Sequence, residues 1–271
     1  PKLISGEWTG TMNLTEPQAG SDVGALTTKA VPNGDGSYAI TGQKIFITWG
    51  DHDMTDNIIQ LVLARLPDAP PGSKGISLFV APKFFVNADG SLGERNTFKC
   101  IGLEHKMGIH ASPTCVMEYT NAKGWLVGEP NKGLAAMFTM MNSARLNVGL
   151  EGVAVGEAAL QAGVAYAKER KQGSIPGEKG SVAIIRHPDV QRMLLTMAAN
   201  VQAARAICYA CGAAADLAEH HPDEAARKAA KSREDLLTPL AKGWSTDRAI
   251  DVTNLGVQIH GGMGFMGETA A

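Results

Sequence analysis

The 271 residues are 44% hydrophobic, enough to bury a sizeable core in a chain longer than one compact domain usually needs, so two domains are expected. A formal net charge of -2, from 25 basic and 27 acidic residues interspersed along the chain, offers neither the basic face that nucleic acid requires nor a polybasic membrane patch. Cysteines at 100, 115, 208 and 211, no signal-like start and no apolar run of membrane-spanning length give the expectation of a reduced, cytoplasmic protein without disulfides.

Up to about residue 125 short apolar runs alternate with turn signals. TMNLTEPQAGSDVG, residues 11–24, begins as an alternating strand and ends in turn formers. Thr15, Glu16, Ser21 and the backbone N–H groups around Gly20 can cradle an anionic or carbonyl-rich ligand, or form an ordinary polar loop. In KAVPNGDGSYAITGQKIFITWG, Asn33-Gly34-Asp35-Gly36 joins two strand-like arms, which reads as a hairpin. Alternation along its second arm puts Phe46 and Thr48 on one face and Ile47 and Trp49 on the other. An aromatic beside a hydroxyl suits a flat heterocycle, although aromatics are common in any core. IIQLVLARL, GISLFVAPKF, NTFKCIGLE and TCVMEYT continue the pattern, giving an antiparallel β sandwich or barrel over residues 1–127.

After Gly128 the period changes. GLAAMFTMMNSARLNVGLEGVAVGEAALQAGVAYAKER carries apolar or small residues at helical spacing over roughly ten turns. Its glycines weaken intrinsic helicity but allow a neighbouring helix to come close. Two more helices are expected to start at His187-Pro188 and His221-Pro222, with Asp189 and Asp223 favouring the N-terminal dipole. Residues 128–271 thus read as a helical bundle, and the whole chain as a multidomain α+β protein. Cys208 and Cys211, a C-x-x-C inside a predicted helix, read as two buried helical cysteines. The histidines have no metal-ligand spacing, and no nucleophile elbow is present. Arg145 and Arg170 lie on or at the end of the long helix, where the partner is a protein carboxylate, solvent or a phosphate. QIHGGMGF near the end offers glycines that let a ligand approach backbone, but no dinucleotide fingerprint.

In this order, MNLTEPQAGSD, KIFITWG, KMGIHASPT, NSARLNVG, YAKERKQG and QIHGGMGF resemble the acyl-CoA dehydrogenase flavoprotein family along nearly the whole chain. PDAPPGSKGISLFVAPKF, NADGSLGERN and MFTMMNSARLNVGL are most similar to its methylmercaptopropionyl-CoA dehydrogenase subgroup. The resemblance implies a middle β domain followed by most of a C-terminal helical domain, FAD as cofactor, an acyl-CoA substrate, an electron-transfer flavoprotein as acceptor and a homodimer or homotetramer. Met12 through Ser21 would line the flavin, with Leu14 and Thr15 at the ring edge and Ser21 near the thioester. Phe46 would pack on the ring and Thr48 bond it. Arg170 matches the residue on the FAD pyrophosphate. Gln258, Gly261 and Gly262 match a segment reaching the dinucleotide of a neighbouring subunit. Asn142 and Arg145 match substrate-side positions, with Asn142 standing where Asp is commoner.

The implied reaction takes an α proton from the acyl-CoA and passes the β hydrogen as hydride to flavin, leaving a trans-2-enoyl-CoA; it requires a carboxylate base. By resemblance that base is a Glu in a loop after the Gly-Gly motif, expected beyond Ala271. The alternative family position immediately before the helical arginine is Ala144, which cannot ionise. The chain is therefore expected to lack the N-terminal helical domain and the catalytic loop, and to be inactive unaided. The same scaffold also implies two alternatives, a flavin oxidase or monooxygenase and a non-catalytic relative that binds nucleic acid, the latter disfavoured by the balanced charge.

Overall fold

The computed structural model describes residues 1–269 and divides into two compact units, Pro1–Thr139 and Met140–Ala271. The first unit contains a short helix α1 (Lys2–Ser5) and nine strands: β1 (Trp8–Asn13), β2 (Lys29–Pro32), β3 (Tyr38–Thr48), β4 (Asn57–Ala64), β5 (Ser77–Pro82), β6 (Phe84–Val86), β7 (Leu92–Arg95), β8 (Phe98–Leu103) and β9 (Thr114–Val127). The main sheet runs β1-β4-β5-β9-β3-β2, with β8 also on β9, while β6 and β7 form a separate hairpin. Strand β9 belongs to two layers. Residues 114–124 pair with β3, and Trp125, Leu126 and Val127 pair with β5. Between the layers Ile40, Val62, Phe79, Cys115, Met117 and Tyr119 form a buried core. The alternation of Cys115, Met117 and Tyr119 inward along β9 is the period of two that a one-sided strand demands.

The expected sandwich is therefore present with two corrections. Strand β1 runs parallel to β4 from Trp8↔Asn57 to Asn13↔Val62, so the sheet is mixed. Among the described residues it does not close into a barrel. The parallel neighbour was hidden because local sequence reveals a strand's period but not its non-local partner. The predicted hairpin is observed between β2 and β3. Gly34 and Gly36 take φ of 84° and 85°, left-handed values that glycine adopts without a Cβ penalty. The Asp35 carboxylate accepts from the Ser37 N–H at 3.0 Å and its hydroxyl at 2.5 Å.

Three long helices, α2 (Gly133–Glu169), α3 (Pro188–His220) and α4 (Glu224–His260), follow, with a single turn α5 (Gly262–Phe265). Helix α3 starts with Pro188 in its first turn, as the sequence indicates. Helix α4 starts later than the His221-Pro222 pair suggests. Asp223 is its N-cap and accepts from the Ala225 N–H at 3.1 Å, which satisfies a donor that would otherwise be orphaned. Within the second unit, Ala167, Leu194, Met197, Val201, Val252 and Ile259 form one core cluster, and Val153, Ala204, Cys208, Cys211 and Ala241 another. Among the described residues no helix is long and apolar enough to cross a membrane.

The glycines of α2 are the close-approach points that the sequence suggested. A Cβ on Gly149 would lie 2.7 Å from the Ala241 carbonyl oxygen, and one on Gly152 would lie 2.8 Å from that of Ser245. The opposing atoms are helix backbone, which cannot yield as a side chain can. Gly149→Ala and Gly152→Ala are each expected to lower unfolding free energy by about 1–3 kcal/mol. At Gly163 the same methyl meets side-chain atoms no nearer than 3.6 Å, so Gly163→Ala should be neutral or gain about 0.5–1 kcal/mol of helix propensity. Chemical denaturation of the three variants checks this, and equal tolerance at all three sites would contradict it.

Candidate functional site

A buried ion pair fixes the loop after β1. The Lys44 ammonium, fully buried on β3, donates to a Glu16 carboxylate oxygen at 2.8 Å and to the Leu14 carbonyl at 3.0 Å. Glu16, itself 2% exposed, also accepts from the Thr27 N–H at 2.7 Å, the Thr28 N–H at 3.1 Å, both threonine hydroxyls and the Gln18 amide. The Ile45 N–H donates to the Thr15 carbonyl at 2.9 Å. The carbonyls of Leu14 and Thr15 are thus both turned to β3. Burial raises the Glu16 carboxyl, but the Lys44 charge and the surrounding donors outweigh it and hold the group at about 2. Burial brings Lys44 down to about 8 against the pull of Glu16, so both groups are charged at neutral pH.

At the other end of β3 the backbone is irregular. The register with β9 shifts between Lys44 and Ile47, and Phe46 and Trp49 take φ of 61° and 54°, values rarely adopted by bulky L-residues. This corrects the simple alternation of the sequence reading. Ile47 is buried, Phe46 is 58% exposed, and Trp49 returns to the Phe46 side. Phe46, Thr48 and Trp49 join Met12, Thr9, Thr11, His52, Met54 and Thr55 around a hollow of about 540 Å³. The Thr11 hydroxyl donates to the Thr48 carbonyl at 2.8 Å. Beneath, Gln60 ties three strands: its amide donates to the Gly50 carbonyl at 2.7 Å, and its carbonyl accepts from Asn13 at 2.9 Å and from the Tyr119 hydroxyl at 3.2 Å. His52 Nδ1 accepts from the Met54 N–H at 3.2 Å, so Nε2 carries the proton and donates to the Thr9 hydroxyl at 3.1 Å. Burial, and then the charge of Lys83, lower the His52 pKa, in keeping with a neutral ring. An aromatic wall with hydroxyls at its edge suits a flat, apolar-faced ring system.

The second unit carries a separate hollow of about 360 Å³ lined by Tyr166, Arg170, Gln172, Ile184, Ile259, His260, Gly261, Gly262 and Met263. Among the described residues the Arg170 guanidinium is assigned no hydrogen bond or ion pair, and it is exposed. The Cβ positions of Gly261 and Gly262 point to open space, so a ligand can reach their backbone. A free guanidinium beside accessible peptide groups suits an anionic oxygen cluster.

Of the residues singled out from sequence, Met12, Phe46 and Thr48 line the first hollow, and Arg170, Gly261 and Gly262 line the second. Leu14, Thr15 and Ser21 do not line the first. Leu14 and Thr15 meet β3 through their carbonyls, and Ser21 is an exposed loop residue. Gln258 is exposed one helical turn before the second hollow, and its carbonyl accepts from the Gly261 N–H at 3.1 Å. Arg145 donates to the Asn142 side-chain oxygen at 3.2 Å. Cys208 and Cys211 are buried free thiols beside the Ser245 and Thr238 hydroxyls of α4, each at 3.6 Å. Sequence reasoning missed Thr9, Thr11, Trp49, His52 and Thr55. The Thr9/Thr11 spacing of two was the available signal for β1; nothing local announced the reversal at Trp49.

Family models for the acyl-CoA dehydrogenase middle domain and C-terminal domain match residues 11–122 and 131–271, respectively. The chain belongs to the acyl-CoA dehydrogenase family. It is 56% identical over 270 residues to 3-methylmercaptopropionyl-CoA dehydrogenase of Ruegeria pomeroyi, covering 99% of this chain and 46% of that protein. It is 44% identical over 281 residues to a butyryl-CoA dehydrogenase of Syntrophomonas wolfei, covering 100% of this chain and 46% of that protein. The butyryl-CoA dehydrogenase structure from Megasphaera elsdenii superposes with a TM-score of 0.75 at 29% identity, covering 98% of this chain and 61% of that one. The chain thus spans about half the length of the curated relatives it matches. Acyl-CoA dehydrogenases are FAD flavoproteins whose common reaction is dehydrogenation of an acyl-CoA thioester. Taken separately, the exposed Phe46 among hydroxyls has the chemistry that a flat ring asks for, and Arg170 beside open glycine backbone has that of a phosphate site. The base expected beyond Ala271 lies outside the described residues, and Ala144 carries only a methyl.

The loop at Glu16 gives a direct test of this architecture. Lys44→Met strands a buried carboxylate and should cost about 3–5 kcal/mol of stability. Glu16 has a folded pKa of about 2 against an unfolded value near 4.5. Its contribution is therefore complete above pH 4.5 and lost progressively as the pH falls toward 2. Denaturant midpoints measured across that window should fall more steeply for the wild type than for Glu16→Gln.

Proposed function

We propose that this chain is the flavin- and thioester-binding part of an acyl-CoA dehydrogenase, with residues 1–127 as its middle β domain and 128–271 as its C-terminal helical domain. The observation that carries the reading is the hollow in which Met12, Phe46 and Thr48 meet. Phe46 packs against the flavin ring, the Thr48 hydroxyl bonds its edge, and Met12, Leu14 and Thr15 belong to the segment facing it. Arg170 neutralises the diphosphate, and Gln258, Gly261 and Gly262 meet the dinucleotide of a neighbouring subunit. Ser21, Asn142 and Arg145 serve the CoA thioester side. FAD, when bound, supplies the hydride acceptor. The residues described here orient and shield; the α proton is assigned to no carboxylate of this chain.

The substrate class in this reading is a short or medium acyl-CoA, with 3-methylmercaptopropionyl-CoA favoured by the 56% identity to an enzyme of that name. The enzyme is a cytoplasmic homodimer or homotetramer that passes electrons to an electron-transfer flavoprotein. A full-length enzyme carrying this chain should be yellow when purified, and its flavin absorbance should bleach anaerobically on addition of 3-methylmercaptopropionyl-CoA or butyryl-CoA. Phe46→Ala should weaken flavin retention about three- to tenfold, and Thr48→Ala about fivefold. A colourless wild type, or a flavin bleached by neither thioester, would overturn the proposal.

A further inference from the structure

Arg65, which directly follows β4, is a half-buried arginine whose bonds run to no carboxylate among the described residues. Its guanidinium donates to four main-chain carbonyls instead. Nε reaches Leu26 at 2.9 Å, Nη1 reaches Pro70 at 3.0 Å, and Nη2 reaches both Gly72 at 2.8 Å and Gly24. Two of these acceptors lie in the loop between β1 and β2, and two in the loop between β4 and β5. The Arg65 main chain holds the same first loop, since its N–H donates to the Thr28 carbonyl at 2.9 Å and its own carbonyl accepts from the Ala30 N–H at 2.8 Å. The two loops meet closely: a Cβ on Gly24 would lie 3.1 Å from the Ser73 nitrogen. A planar fork of N–H donors can serve four convergent carbonyls, whereas a lysine offers three donors on a single atom.

We propose that Arg65 is a positioning residue for the acyl-CoA thioester and acts through Ser21. The loop after β1 is clamped in two places. Lys44 fixes it at Glu16, Arg65 fixes it at Gly24 and Leu26, and Ser21 lies exposed on the span between them. A short span held at both ends has few conformations, so the Ser21 hydroxyl is offered from a narrow set of positions and loses little freedom when a ligand arrives. Releasing the Arg65 end removes that restriction while the Glu16 end stays closed. The inference rests on the reading of Ser21 as a thioester-side residue and adds to it the group that places it.

Steady-state kinetics of the full-length enzyme carrying this chain, with butyryl-CoA as substrate, test the coupling. Arg65→Lys should raise KM about tenfold, an order below the roughly hundredfold cost of a misplacement of about 1 Å. Its kcat and flavin content should be unchanged, the pattern of lost uniform binding. Ser21→Ala should also raise KM, and adding Arg65→Lys to it should raise KM no further, because the two residues act as one unit. In Arg65→Ala, millimolar methylguanidinium should bring KM back toward the wild-type value. Amide exchange of Leu26 should quicken in Arg65→Lys, while the Thr27 and Thr28 amides, held by Glu16, stay protected. The inference fails if Arg65→Lys leaves KM unchanged while Ser21→Ala raises it, or if the two effects multiply. It fails equally if Thr27 and Thr28 lose protection together with Leu26, which would make Arg65 a structural residue only. An unaltered KM in Ser21→Ala alone would instead remove the thioester reading of that loop, and the inference with it.

Discussion

The ion pair between Lys44 and Glu16 is the constraint on which the first unit's ligand-facing surface depends. Taking both charges out of water is costly, and apolar residues of similar volume often stabilise a core at least as well. Apolar residues would not, however, fix the loop after β1. Glu16 gathers backbone N–H groups from Thr27 and Thr28, while Lys44 reaches past it to the Leu14 carbonyl. One pair therefore joins the loop after β1, the entry to β2 and the middle of β3. With the adjacent bond from Ile45 to Thr15, it sets where residues 14 and 15 present what remains of their polar surface.

Two residues farther along β3, order gives way to controlled irregularity. Left-handed backbone at Phe46 and Trp49 costs free energy that a regular strand would not. The hydrogen bonds around the irregular segment offset it. Gln60 holds Gly50, Thr11 holds Thr48, and Trp49 N–H reaches Pro113 at 3.0 Å. The result is that two aromatic rings, which strict alternation would place on opposite faces, line one hollow. Exposing a ring such as Phe46 to water is unfavourable without a partner, and a flat ligand is the partner that this geometry accommodates.

How much of this was legible varied with the range of the interaction. Periodicity gave the strands, the switch to helix near residue 128 and the close-packing glycines of α2, because each depends on neighbours in sequence. The buried C-x-x-C followed from helical spacing, and the structure sets both thiols against α4. The parallel partner of β1 was not legible, since pairing with β4 joins residues 49 apart. The bulge that turns Trp49 was not legible either, because its residues are ordinary strand formers. Lys44 left a trace, a cation in a strand otherwise rich in apolar residues, but its partner lies in a separate loop. The start of α4 moved to Glu224 because Asp223 offers a better cap than a proline offers a start.

The two hollows, one in each unit, offer different chemistry. The first has an apolar aromatic wall edged by hydroxyls and contains no lysine, arginine or carboxylate in its lining. The second has a guanidinium and open peptide backbone. A charged group in the first would have to be desolvated against Phe46 and Met12, at a cost of several kcal/mol. A bare ring in the second would leave Arg170 without an anion. Each hollow thus rejects the other's natural occupant, and each is built wholly from residues of its own unit.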